Sequence, residues 1–202
     1  MSSLSELNSQ IIQCQRCDLR RTRTRVVPGE GPEDAQILFI GEAPGWHEDQ
    51  QGRPFVGPAG QFLDQLLAAA KLKRDRVYIT NIIKSRPPSN RDPMPVEIKA
   101  CEPWLDQQIA ILKPKIIVTL GRYSMGKFFS GESISKIHGT ARKWDSIIIV
   151  PMYHPAAALH QQSLRKTIEA DFQKLPEVLA RLTKVKAEVE EVKESAQQLS
   201  MF

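Results

Sequence analysis

Apolar residues recur along the chain in two rhythms, and the alternation of the two predicts an α/β domain. Ile37-Leu-Phe-Ile40, Val77-Tyr-Ile-Thr80, Ile116-Ile-Val-Thr-Leu120 and Ile147-Ile-Ile-Val150 are short, almost unbroken apolar runs. Such runs suit strands buried on both faces. Between them the apolar positions fall at helical spacing, as in Phe62, Leu63, Leu66, Leu67 and Ala70. Ser3-Leu-Ser-Glu6 is a capping box that opens a helix to about Gln15. Further helices are predicted from about Pro95 to Leu112, over Ser124–Phe129, and from about Ser163 to Leu182. Arg86-Pro-Pro-Ser-Asn-Arg-Asp-Pro93 holds too many breakers for anything but an irregular loop.

Strands that alternate with helices predict a central four-stranded parallel sheet covered on both faces. Gly41–Gly45, Asn81, Gly121 and His154 then each fall just past the carboxyl end of a strand. In an open parallel sheet the ligand crevice lies on that edge. Four separate stretches of chain are thus expected to meet at one site.

Composition narrows the class. No apolar run reaches the roughly 20 residues of a membrane helix, and the start, Met1-Ser-Ser-Leu-Ser-Glu, has no signal-peptide pattern. Three cysteines, an odd number, cannot build a disulfide framework, which favours a reducing cytoplasm. The net charge is +5. Three Lys and four Glu after position 183 leave +6 for the body. Arg16, Arg20, Arg21, Arg23 and Arg25 form one basic stretch, and Lys84, Arg86, Arg91 and Lys99 another. Each reads either as a solvated face or as a phosphate-tracking surface.

The strand ends carry the candidate chemistry. Gly41-Glu-Ala-Pro-Gly45 lacks the spacing of a dinucleotide fingerprint. Its Glu42 is either an exposed turn residue or a carboxylate held to orient a water or stabilise positive charge. Phe55, in a Gly/Pro-rich loop, either anchors the loop or offers its face to a planar ligand. Asn81 is a local cap or the reader of an amide-like edge, since it has both donor and acceptor. His154, restricted by Pro155, is structural or donates a hydrogen bond to an anionic leaving group. Cys14 and Cys17 form a C-x2-C pair, and Cys101 stands far along the chain. The pair suits zinc, an iron–sulfur cluster or a redox couple. It closes a helix, which argues against a thioredoxin-like motif.

Taken together, Cys14-x2-Cys17, Gly41-Glu-Ala-Pro-Gly45, Gly52-Arg-Pro-Phe-Val-Gly-Pro-Ala-Gly60, Thr80-Asn81, Arg86-Pro-Pro, Cys101-x-Pro and His154-Pro-Ala-Ala resemble the family-4, iron–sulfur uracil-DNA glycosylases. The match runs from Cys14 to about Leu175. It implies a three-layer α/β/α sandwich and a monofunctional enzyme that hydrolyses the N-glycosidic bond of deoxyuridine in DNA, in base-excision repair. The nucleotide must be flipped out of the stack to be reached.

The resemblance also implies roles. Phe55 would stack on the uracil ring, Asn81 read its O4/N3 edge, and His154 stabilise the departing anion at O2. Glu42 would position the water or stabilise the cationic sugar. Gly41 would belong to the substrate site, and Glu48 would crowd C5 and exclude thymine. Leu159 would be the wedge that fills the gap in the duplex. Arg86, Arg91 and the Arg20–Arg25 stretch would hold phosphates. Cys14, Cys17 and Cys101 would ligate a 4Fe–4S cluster that ties the N-terminal helix to the helix after the Pro-rich loop. The family's remaining ligand precedes Arg-Pro-Pro, and here that position is Ser85. A serine oxygen is a harder, less readily deprotonated ligand, so a labile or 3Fe–4S cluster is expected. The related group that traps uracil covalently carries a His in a basic insertion at this loop. Lys84–Arg91 is short and has none, so turnover is expected.

Residues 1–182 are thus read as the glycosylase domain and 183–202 as a helical tail. The tail ends in Gln198-Leu-Ser-Met-Phe202, similar to the pentapeptide that docks bacterial proteins on the replication sliding clamp. A monomer in the nucleoid-bearing cytoplasm is expected. Two rival readings stand beside the enzyme: a damage-binding protein without turnover, and a redox module centred on the cysteines.

Overall fold

The computed structural model describes residues 3–182. The helical tail expected over 183–202 and its peptide Gln198–Phe202 lie outside the described residues. Five strands form one sheet: β1 (Ile37–Gly41), β2 (Tyr78–Asn81), β3 (Ile116–Leu120), β4 (Arg142–Trp144) and β5 (Ile147–Met152), in the order β2-β1-β3-β5-β4. The four predicted strands pair in parallel. β4 adds an antiparallel edge on β5. The sequence reading missed it because Arg142-Lys-Trp144 has no apolar alternation. Its turn is Asp145-Ser146, with Asp145 at φ 51, and lacks the usual glycine. The charged side chains suit an edge strand, where they oppose pairing with another chain.

Alternate strand residues feed two cores. Ile37 and Phe39 pack with Leu63 and Leu66 of α3 (Pro58–Ala69) and Phe172 of α8 (Leu164–Phe172). Leu38 and Ile40 pack with Leu7 and Ile11 of α1 (Leu4–Ile12) and Leu105 of α4 (Pro95–Leu112). Period-two alternation with both sets buried is what a three-layer sandwich requires. The Ser3 capping box is present, with Glu6 reaching back to the Ser3 amide.

The predicted last helix is interrupted. α8 ends at Phe172, and helix resumes over 175–182. Pro176 explains the break, since it has no N–H for the Phe172 carbonyl. The remaining helices are α2 (Trp46–Gln51), α5 (Arg122–Gly126), α6 (Ile134–Ile137) and α7 (Pro155–His160). Among the described residues no helix is long and apolar enough to cross a membrane.

β1 sits inside the sheet, and the chain leaves it first toward β2 and later toward β3 on its other side. The strand order reverses there, so the carboxyl ends of β1 and its neighbours open into a crevice.

Candidate active site

The parallel register of β1 and β2 sets Gly41 beside Asn81. A Cβ on Gly41 would lie 2.3 Å from Asn81 Oδ1 and 2.7 Å from the Phe55 ring. Only glycine lets the carboxamide and the ring close over this strand end. Phe55 has φ 51, and its carbonyl oxygen lies 2.0 Å from where a Cβ on Gly60 would stand. Arg74 holds the loop from outside, donating to the carbonyls of Pro54 (2.6 Å) and Phe55 (3.2 Å).

Glu48 joins this loop to the β1–α2 turn. Its Oε1 accepts from the amides of Val56 (2.9 Å) and Gly57 (2.8 Å), and its Oε2 from that of Gly45 (3.1 Å). These bonds fix the nearly buried carboxylate against the pocket.

Asn81 is 1% exposed, and its Oδ1 has no hydrogen-bond partner. A buried carbonyl without a partner costs about 1–3 kcal/mol, so this atom is poised for a donor. Behind it, the Lys84 ammonium donates to the Asn81 carbonyl (2.8 Å), Thr80 Oγ1 (2.6 Å) and Gln108 Oε1 (2.7 Å). Burial pulls the Lys84 pKa down to about 7, against the pull of Cys101. Lys84 is therefore not part of a basic face; it braces the end of β2.

His154 caps α7, its Nδ1 accepting from the Ala156 amide at 3.1 Å. A neutral ring bonded in this way carries its proton on Nε2. Desolvation by the surrounding protein pushes its pKa down to about 4, opposed by Glu48. The ring stacks on Phe55 with centroids 5.5 Å apart and planes at 28°. That is one stacking distance, so no planar ligand fits between them. Glu42 is half-buried. Burial, then Asp92, raises its pKa, and Arg122 opposes them.

These residues share one cavity of about 620 Å³. Glu42, Glu48, Phe55, Asn81, Arg91, His154 and Leu159 line it together with Trp46, His47, Pro87, Asn90 and His160, which the sequence reading passed over. Trp46, following Gly45 at the predicted strand end, was the available signal. Arg86 and Arg20–Arg25 do not line the cavity. Arg86 donates to Asn90 Oδ1 (2.7 Å), and Arg91 clamps the buried Glu97 (2.6 and 2.9 Å), so both shape the Pro-rich loop.

Residues 28–180 match the uracil DNA glycosylase superfamily. The chain is 51% identical to the type-4 uracil-DNA glycosylase of Sulfurisphaera tokodaii, over 88% of this chain and 86% of that protein. It is 45% identical to the enzyme of the same name from Saccharolobus solfataricus (89% and 88% covered) and 42% to that from Archaeoglobus fulgidus (88% and 94%). The chain belongs to the type-4 uracil-DNA glycosylases.

That family binds an iron–sulfur cluster. In this type-4 chain Cys14, Cys17 and Cys101 adjoin the same core, close enough for their charges to interact. Burial raises the Cys17 and Cys101 thiols. Cys14 Sγ accepts from Trp104 Nε1 (3.2 Å) and Cys101 Sγ from the Lys84 amide (3.4 Å). Among the described residues no three His, Cys, Asp or Glu side chains are grouped to hold a single metal ion. Cluster ligands bind separate irons and need not converge on one point, so the three thiols fit a cluster by donor type and neighbourhood. Ser85 is buried, and its Oγ accepts from Arg23 Nη1 (3.1 Å), while Arg23 Nη2 donates to the Cys14 carbonyl (2.5 Å). Arg23 is thereby drawn inward from the basic stretch.

The low pKa of His154 has a consequence for stability. The unfolded chain takes up a proton below the ordinary His value of 6.5, and the folded chain does so only near 4. This contribution is complete above 6.5 and is lost as pH falls toward 4, by at most about 1.4 kcal/mol per pH unit. Urea unfolding at about pH 7 and about pH 5 should show that loss in the wild type. His154→Asn, which can still cap α7, should lose less. Equal losses would contradict the assignment.

Proposed function

We propose that the chain is a uracil-DNA glycosylase that extrudes deoxyuridine from DNA and hydrolyses its N-glycosidic bond. The observation that carries this reading is the single cavity joining Glu42, Phe55, Asn81 and His154, with the Asn81 oxygen unpartnered in its wall. Uracil presents an N3–H donor beside an O4 acceptor, and the Asn81 carboxamide offers the complementary acceptor and donor. Cytosine presents that edge in the opposite order and would need the amide inverted. The flipped ring stacks on the part of Phe55 that opens into the cavity, beside His154, which lines the same cavity. Glu48, held by three amides, cannot retreat from a methyl at C5, and this excludes thymine.

Cleavage leaves the electron pair of the broken bond on the base as a uracil anion. Neutral His154 donates its Nε2–H bond to O2, where that charge gathers, without a proton having to be supplied first. Glu42, as a carboxylate, orients the water and balances the oxocarbenium-like sugar. Its raised pKa means that activity is present above that pKa and falls as pH drops through it. Leu159, 49% exposed at the cavity mouth, fills the gap left in the duplex.

A duplex with one U·G mismatch tests the reading. Free uracil should be released, a T·G duplex should stay intact, and Asn81→Ala or His154→Ala should cut the rate at least 100-fold. Binding without release would favour the damage-binding alternative.

Cys14, Cys17 and Cys101 would hold the family's iron–sulfur cluster, with Ser85 at the fourth ligand's position; when bound it would supply a cross-link between the end of α1 and α4. Arg23 already bridges Ser85 and the Cys14 carbonyl, so fold and activity should outlast cluster loss. Iron and sulfide analysis after aerobic purification should find fewer than four irons per chain with glycosylase activity retained. A full, air-stable complement would contradict this.

The peptide Gln198–Phe202 is read as a sliding-clamp ligand. Deleting it should abolish clamp binding in a pull-down and leave excision from short oligonucleotides unchanged; unimpaired clamp binding would refute the assignment.

A further inference from the structure

The cavity is larger than the uracil reading needs. Its 620 Å³ falls in the range that encloses a drug-sized ligand, and one pyrimidine ring fills only a fraction of it. The floor is made by buried Phe55 and Asn81, whereas Trp46, Leu159 and His160 at the wall are exposed. Trp46 is 53% exposed, unusual for a residue that is mostly buried on average.

The indole stands on an anchored turn. Trp46 is the first residue of α2, directly after Gly45, whose amide is held by Glu48 Oε2. Its ring packs perpendicular to that of His47, with centroids 5.0 Å apart and planes at 89°. His47 in turn abuts Gly57, where an added Cβ would lie 3.1 Å from Nδ1. A preset, solvent-facing aromatic surface continuous with a base pocket is the chemistry of a nucleobase stacking platform.

We infer that Trp46 forms a second subsite, which stacks the nucleobase neighbouring the extruded deoxyuridine on the same strand. The inference rests on the proposed uracil excision and extends it. Extruding the deoxyuridine leaves its neighbour on the same strand with one face unstacked, and the indole covers that face, while Leu159 fills the space inside a duplex that the base vacates. The subsite reads no sequence, since every base has a π-face. It acts on the binding of the flanking nucleotide and takes no part in bond breaking.

Steady-state excision from a single-stranded oligonucleotide with one deoxyuridine tests this. Trp46→Ala should raise KM about 10-fold with kcat held within about twofold, and Trp46→Phe should recover most of the loss. Abasic spacers are then placed on the 5′ or the 3′ side of the deoxyuridine. One of the two should raise the wild-type KM by a similar factor and cost Trp46→Ala nothing further. An unchanged KM in Trp46→Ala, or a spacer penalty equal in both proteins, would overturn the subsite. Failure of the wild type to release uracil would instead overturn the functional reading, so the two failures are distinct.

Discussion

The missing side chain at Gly41 is the constraint on which the site turns. Parallel pairing brings Gly41 level with Asn81, and the space that a Cβ would occupy is shared by the Asn81 carboxamide and the Phe55 ring. Because sheet register is set by the buried alternation of β1 and β2, the fold itself delivers the Asn81 carboxamide to the Phe55 ring. His154 arrives from the end of β5 and completes the wall by stacking on Phe55.

The surrounding polar groups keep that arrangement rigid before any ligand arrives. Glu48 ties the β1–α2 turn to the Phe55 loop, and Lys84 braces the backbone of Asn81. The Ala156 amide selects the His154 tautomer. Preorganised dipoles in a partly desolvated pocket stabilise developing charge without reorganising during the reaction. The buried Asn81 oxygen without a partner is the cost of this readiness, and a ligand N–H relieves it.

Much of this was legible in the sequence, for definite reasons. The apolar runs marked all four parallel strands, and Glu42, Asn81 and His154 could be assigned to one edge because Gly41, Asn81 and Gly121 stand at or just past strand ends, although β5 runs on through Pro151 to Met152. β4 was hidden by its polar composition, and the interruption of the last helix by the weight of its apolar periodicity over one proline. Lys84 was misread as a surface charge because nothing local marks a buried lysine; its partners Thr80 and Gln108 come from two different elements. The three amides on Glu48 depend on two loops meeting in space, which spacing along the chain does not encode.

Cys14, Cys17 and Cys101 stand apart from the lining of the cavity. Arg23, between Ser85 and the Cys14 carbonyl, joins elements that the cysteines also approach. The cavity draws on none of these groups directly. Its geometry is tested most directly by a crystal structure of the protein with free uracil. The ring should lie on the cavity side of Phe55, with N3 within hydrogen-bond distance of Asn81 Oδ1 and O2 facing His154 Nε2. A well-ordered uracil bound away from Asn81, or with its N3–O4 edge turned to another residue, would contradict the account.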